Sequence, residues 1–152
     1  MKLKLFLLIL IAPYALWAQD ASNTTTWKET ITYLQDNIDL LSNKQETVQA
    51  TEHSLVKSEI VHNDQGNLVY TYTVPYKALQ LVEITDTTCD PCVWGLVLVA
   101  NDEEITFSID NKSWVHAYNY ISLDYYRKAP SKGQLAVVSA LQHLSFLRSK
   151  EK

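Results

Sequence analysis

The chain has 152 residues, of which 47% are hydrophobic, with nine tyrosines and four tryptophans, the composition of a folded globule and not of a disordered chain. Its 17 acids outweigh 13 bases, a formal charge of −4 that disfavours nucleic acid and anionic membrane as partners. Three glycines, Gly66, Gly95 and Gly133, leave no glycine-rich phosphate loop, and neither Gly-x-Ser-x-Gly nor His-Glu-x-x-His occurs.

Residues 1–18, MKLKLFLLILIAPYALWA, place Lys2 and Lys4 ahead of an apolar run from Leu5 to Ala12 and end on a small residue, the pattern of a secretory signal peptide. The run is too short to span a bilayer, which takes roughly 20 residues. Cleavage after Ala18, or alternatively after Ala15, is expected. The first cut removes two lysines and no acid, which leaves 11 bases against 17 acids and a formal charge of −6. About 134 residues then remain, enough for one domain that buries roughly 65–70% of its unfolded surface. The expected location is exported, periplasmic or extracellular, with no integral membrane segment after cleavage.

Residues 19–25 form a flexible start. Thr26-Trp27-Lys28-Glu29 matches a capping box. Behind it Trp27, Ile31, Leu34, Ile38 and Leu41 recur at helical spacing, so a helix is expected to end near Ser42-Asn43-Lys44. From Val48 to Tyr126 strand patterns take over. They run over Ser54 to His62, Leu68 to Val74 and Leu79 to Thr85, with a turn at Asn63-Asp64-Gln65-Gly66-Asn67 in which Gly66 can take positive φ. Pro75 stops the second strand or confines the segment after it to an edge.

The stretch CDPCVWGLVLVANDEEITFSID, Cys89 to Asp110, reads as a central β-hairpin turning at Asn101-Asp102-Glu103, with its cysteine pair at the entrance. A sixth strand spans Trp114 to Tyr126. After the breaker cluster Ala129 to Gly133, a closing helix is expected from about Gln134 to Arg148. Its apolar stripe is Val137, Ala140, Leu141, Leu144 and Leu147, and Arg148, Lys150 and Lys152 lie where a helix C-terminus favours cations. The fold class is α+β. An antiparallel meander of about six to seven strands, as a bent sheet or partly open barrel, lies between an N-terminal helix and a C-terminal capping helix over residues 26–150.

The order helix, strands, helix, the Pro-Tyr-Lys-Ala-Leu segment at Pro75 and the closing phrase ALQHLSFL resemble pleckstrin-homology-like domains, in particular those of small exported Gram-negative bacterial proteins. The resemblance implies a strongly bent sheet plugged by the last helix, with Leu141, Leu144 and Leu147 buried. Cytosolic members often bind phosphoinositides through a basic first hairpin. Here that hairpin, His62 to Asn67, has no Lys or Arg, so headgroup binding is not implied.

Cys89-Asp90-Pro91-Cys92 is the one motif with a named chemistry. A thioredoxin-type dithiol needs a helix N-terminus to lower the thiol pKa, whereas Val93-Trp94-Gly95-Leu96-Val97 favours a strand. A local structural disulfide is therefore expected in an exported chain, with redox function, free thiols or metal as the alternatives. His53, His62, His116 and His143 are scattered without ligand spacing and are expected at surfaces or boundaries; no metal or other cofactor is implied. Alternation along the sixth strand puts Trp114, His116, Tyr118, Tyr120, Ser122, Asp124 and Tyr126 on one face. Within it Trp114, His116, Tyr118, Tyr120 and Tyr126 form a candidate binding face for a protein, peptide or glycan, unless the rings pack under another element. Asn23-Thr24-Thr25 and Asn111-Lys112-Ser113 match the glycosylation pattern, which has no consequence in a bacterial exported protein.

The functional expectation is an exported, non-catalytic binding or scaffolding domain. The alternatives are a periplasmic thiol-disulfide protein using Cys89 and Cys92, and a subunit or chaperone-like partner of an envelope complex.

Overall fold

A computed structural model describes residues 25–64, 66–85, 92–101, 105–110, 112–126 and 129–150, with the side chains of 92–93, 113–118 and 124–126 outside the description. The expected signal peptide, residues 1–18, lies outside the described residues, as do Asn23 and Asn111 of the two glycosylation patterns.

The first helix, α1 (Trp27–Asn37), starts on the expected capping box: Glu29 N donates to Thr26 Oγ1 at 3.3 Å and Thr26 N donates to Glu29 Oε2 at 2.8 Å. Thr26 Oγ1 also donates to Glu29 Oε2 at 2.7 Å, and this bond, with that from Thr26 N, holds the Glu29 carboxyl below its usual range. The α-helix ends before Ser42. Asn37, whose Nδ2 donates back to the Tyr33 carbonyl, leaves helical dihedrals, and Ile38–Leu41 tightens into a 3₁₀ turn. That turn keeps Ile38 and Leu41 in the core beside Ile31 and Leu34.

Eight strands follow among the described residues: β1 (Glu46–Ala50), β2 (Ser54–Asn63), β3 (Gly66–Pro75), β4 (Leu79–Thr85), β5 (Cys92–Ala100), β6 (Ile105–Ile109), β7 (Lys112–Tyr118) and β8 (Tyr120–Tyr126). They form two antiparallel sheets in the orders β1-β2-β3-β6-β7 and β4-β5-β8, and no barrel closes. β1 is a strand that the sequence pattern does not announce, because Val48 alone of its five residues is fully buried.

The expected central hairpin is corrected by the pairing: β5 and β6 lie in different sheets and do not pair with each other. Each pairs instead with the β3–β4 stretch of the chain, antiparallel and in nearly continuous register: Tyr70 faces Ile109, Thr73 faces Thr106, Leu79 faces Ala100 and Thr85 faces Gly95. The expected sixth strand is divided at Asn119 into β7 and β8. The described strands thus form two antiparallel sheets between the two helices, where a single bent sheet or partly open barrel was expected.

The corners support each other. Asn101 N donates to the Ala78 carbonyl at 2.9 Å, and Ala100 N donates to that of Asn119 at 2.8 Å. Of the expected turn, Asp102 and Glu103 lie outside the described residues. Among the described hairpins, β2–β3 turns with Gly66 at φ 130°, and β6–β7 turns with Asp110 at φ 47°.

β5 is the middle strand of its sheet, as its run of apolar residues requires. Trp94, Leu96, Leu98 and Ala100 are buried, together with Ile121 and Leu123 of β8, Leu55 of β2, Val74 of β3 and Val82 of β4. The last helix, α2 (Lys132–Ser149), opens on a second capping box, Ser131 with Gln134. It packs on α1 and β4, which buries Val137, Val138, Leu141 and Leu144; Leu147 is half-buried.

Candidate functional site

Four of the five residues of the expected aromatic face, Trp114, His116, Tyr118 and Tyr126, have side chains outside the described residues. Their backbone positions are given by register. Trp114 lies opposite Phe107 and Tyr118 opposite Ile105 in the five-stranded sheet, whereas Tyr126 lies opposite Cys92 and Tyr120 opposite Val99 in the three-stranded one. The break at Asn119 therefore distributes the row over two sheets.

Tyr120 is described, and it is 59% exposed. Strand alternation puts it on the face of β8 opposite to buried Ile121 and Leu123. Register places Val99 beside it and then Leu81, itself 42% exposed. The next row of the same face is Glu83, Val97 and Ser122. A leucine, two valines and a tyrosine hydroxyl thus share the outer face of the three-stranded sheet, an apolar strip with a polar rim.

Cys92 opens β5, so a strand and not a helix follows the second cysteine. Cys89 and the side chain of Cys92 lie outside the described residues. His53 and His62 are exposed, and His62 Nδ1 meets Asn67 Oδ1 at 2.6 Å. His143, expected at the margin of the helix contact, is buried, with Nε2 at 2.8 Å from the carbonyl of Thr25, just ahead of α1. No group of three or more His, Cys, Asp or Glu side chains is gathered as for a metal among the described residues.

The polar cluster that sequence reasoning missed centres on Lys57. It is only 6% exposed and sits in phase with buried Leu55 on the inner face of β2. Its Nζ pairs with Glu46 Oε1 of β1 at 2.7 Å and Glu59 Oε2 of β2 at 2.9 Å, and donates to the Ser122 carbonyl of β8 at 3.0 Å. Three N–H donors meet three acceptors. The Tyr72 ring adds its face at 5.5 Å and packs in turn on Phe107, with ring centroids 4.9 Å apart. Burial alone would pull the ammonium down; the hydrogen bonds and charges of Glu46 and Glu59 outweigh it and hold Lys57 above the usual lysine range. With every donor used, this lysine is a cross-sheet tie and not a nucleophile. Its signal in the sequence was phase, since Lys57 and Glu59 fall on the inward parity set by Leu55.

No protein-family model, no curated protein and no solved structure matches this chain. The site therefore stands on its own geometry.

Proposed function

We propose that the chain is an exported, non-catalytic binding or scaffolding domain whose contact face includes the outer strip of the three-stranded sheet at Leu81, Val99 and Tyr120. The observation that carries this reading is the exposure of Tyr120 and Leu81 in one register row beside the buried inner row Val82, Leu98 and Ile121. Ordinary monomers expose single apolar residues anywhere; a row with an aromatic end group is the composition of contact surfaces. Its partner is a protein, a peptide or a glycan outside the cytoplasm, including a fellow subunit of an envelope complex.

The strand that follows Cys92 supports a structural role for Cys89 and Cys92 over a thioredoxin-type one, which needs a helix N-terminus. The antiparallel sheets with a helix along one side support the pleckstrin-homology-like reading of the fold. The absence of Lys and Arg in the β2–β3 turn supports a ligand other than an inositol phosphate. Among the described residues no helix is long and apolar enough to cross a membrane.

The test is affinity capture from the envelope fraction of the producing cells, comparing the parent with Tyr120→Ala and Leu81→Ser. The reading predicts a defined partner whose recovery drops about tenfold or more in both variants, as truncation of a contact residue does at about 1.4 kcal/mol or more. Undiminished capture by both folded variants contradicts this face.

A further inference from the structure

Lys57 connects the paired strands β1 and β2 to β8, a strand of the other sheet. Glu46 and Glu59 belong to β1 and β2, at one side of the five-stranded sheet, whereas Ser122 belongs to β8, an outer strand of the other sheet. No ladder joins β8 to β1 or β2. Side-chain exposures of 15% for Glu46 and 24% for Glu59 put both carboxylates at a wet rim, while the ammonium lies deeper. The groups that face Nζ are Glu46 from β1, Glu59 from β2, the Tyr72 ring from β3 and the Ser122 carbonyl from β8. The side chains of Asp124 and Tyr126 on β8 lie outside the described residues.

We propose that this cluster is an acid-sensitive latch: discharging Glu46 and Glu59 frees β8 from the β1–β2 pair, while the α2-backed side of the molecule stays closed. Protonated, the two carboxyls leave a buried cation with one full acceptor, the Ser122 carbonyl. An uncompensated buried charge costs more than the entry of water. Water has a short way in, past the two rim carboxylates. The bonds described between α2 and β4 run from Gln142, Ser145 and Arg148 to backbone carbonyls, none of which acid discharges, and His143 of α2 faces the Thr25 carbonyl ahead of α1 and not β4.

The test is amide hydrogen exchange on the full chain at about pH 7 and about pH 3, corrected for intrinsic rates. The latch predicts that protection in β8 and in β1–β2 falls at least about tenfold more than protection in α2 and β4. It also predicts that Lys57→Met, which needs no counter-anion, loses this acid response. Protection that falls equally in β8 and α2, or that falls in neither, overturns the proposal, and so does an unchanged acid response in Lys57→Met. If Glu46→Gln/Glu59→Gln folds, its β8 protection at neutral pH should already match that of the acidified parent; parent-like protection and acid response there also count against the latch.

Discussion

The two outer strands of the three-stranded sheet, β4 and β8, are protected by different chemistry. Along β4 runs α2, antiparallel in direction: Gln142 Nε2 donates to the Val82 carbonyl at 3.1 Å, Ser145 Oγ to that of Gln80, and Arg148 Nη1 to those of Leu79 and Ala78 at 3.0 and 2.9 Å. Six helical residues advance about 9 Å, whereas four strand residues advance about 13 Å. The long reach of Arg148 takes up the difference. Behind these bonds lies a wide apolar contact through Val137, Val138, Leu141 and Leu144. At β8 the described tie to the neighbouring sheet is Lys57 on the Ser122 carbonyl, with its charge balanced from β1 and β2. An exposed edge invites strand addition, and both devices occupy carbonyls that a foreign strand would use. The difference is that the helix brings hydrophobic stabilisation with it. A buried ion cluster specifies which strands meet but returns little net energy, because desolvation offsets most of the attraction.

The largest effect should come from the helix side. Leu144→Ala removes a fully buried side chain under α2 and should lower unfolding free energy by about 2–5 kcal/mol, read as a urea midpoint shift. A midpoint equal to the parent's would break the comparison at its stronger end.

Lys57 comes next, and its two truncations should part. Lys57→Ala leaves two carboxylates facing each other over a void and should cost about 2–4 kcal/mol, below the range for a deep pair because the rim is wet. Lys57→Met leaves the same two carboxylates without a cation but keeps the apolar stem, so it should cost about 1–2 kcal/mol less than Lys57→Ala. Equal losses in the two would mean that the charge, not the stem, is what β2 needs.

Arg148→Met, which removes two charge-assisted bonds to the β4 side while keeping the stem, should cost about 1.5–3 kcal/mol. A loss confined to α2 amides in hydrogen exchange would place the effect at that edge.

The smallest change should be a gain. Tyr76 is 1% exposed, and among the described residues its Oη finds no hydrogen-bond partner. Tyr76→Phe should therefore raise stability by about 1 kcal/mol, the relief of an unsatisfied buried hydroxyl. Burial also pushes the Tyr76 hydroxyl well above the ordinary tyrosine range, and Lys57 is held above the lysine range. Both groups bind their protons more tightly folded than unfolded. Their contributions are thus complete below the unfolded values, near pH 10, and are lost as pH rises through the folded ones. Thermal melts of the parent should fall above about pH 10, less steeply in Tyr76→Phe; a slope unchanged in that variant would assign the alkaline loss elsewhere.

The elements were legible where one local signal decided them. The Thr26–Glu29 capping box, the stripe Ile31, Leu34, Ile38, Leu41 and the bounds of β4 at Leu79–Thr85 could be read directly. The capping box at Ser131 and Gln134 was equally present, although the glycine between them read as a breaker. Pairing was not legible at the corners. Asn101-Asp102-Glu103 has hairpin composition, yet the strands on either side of it lie in different sheets. Asn119 carries no such marker, so β7 and β8 read as one strand with one aromatic face. β1 was silent because a short edge strand buries only one side chain of five. Lys57 was legible only in combination, since the partner Glu46 lies on the strand that could not be seen.

The central functional claim is that this domain binds and does not exchange disulfides. The most direct measurement is the reduction potential of the Cys89–Cys92 pair in the mature protein, equilibrated with glutathione or dithiothreitol buffers. A potential below about −300 mV is predicted, that of a structural bond at the start of a strand; a value near or above about −200 mV, in the range of disulfide oxidoreductases, would contradict it.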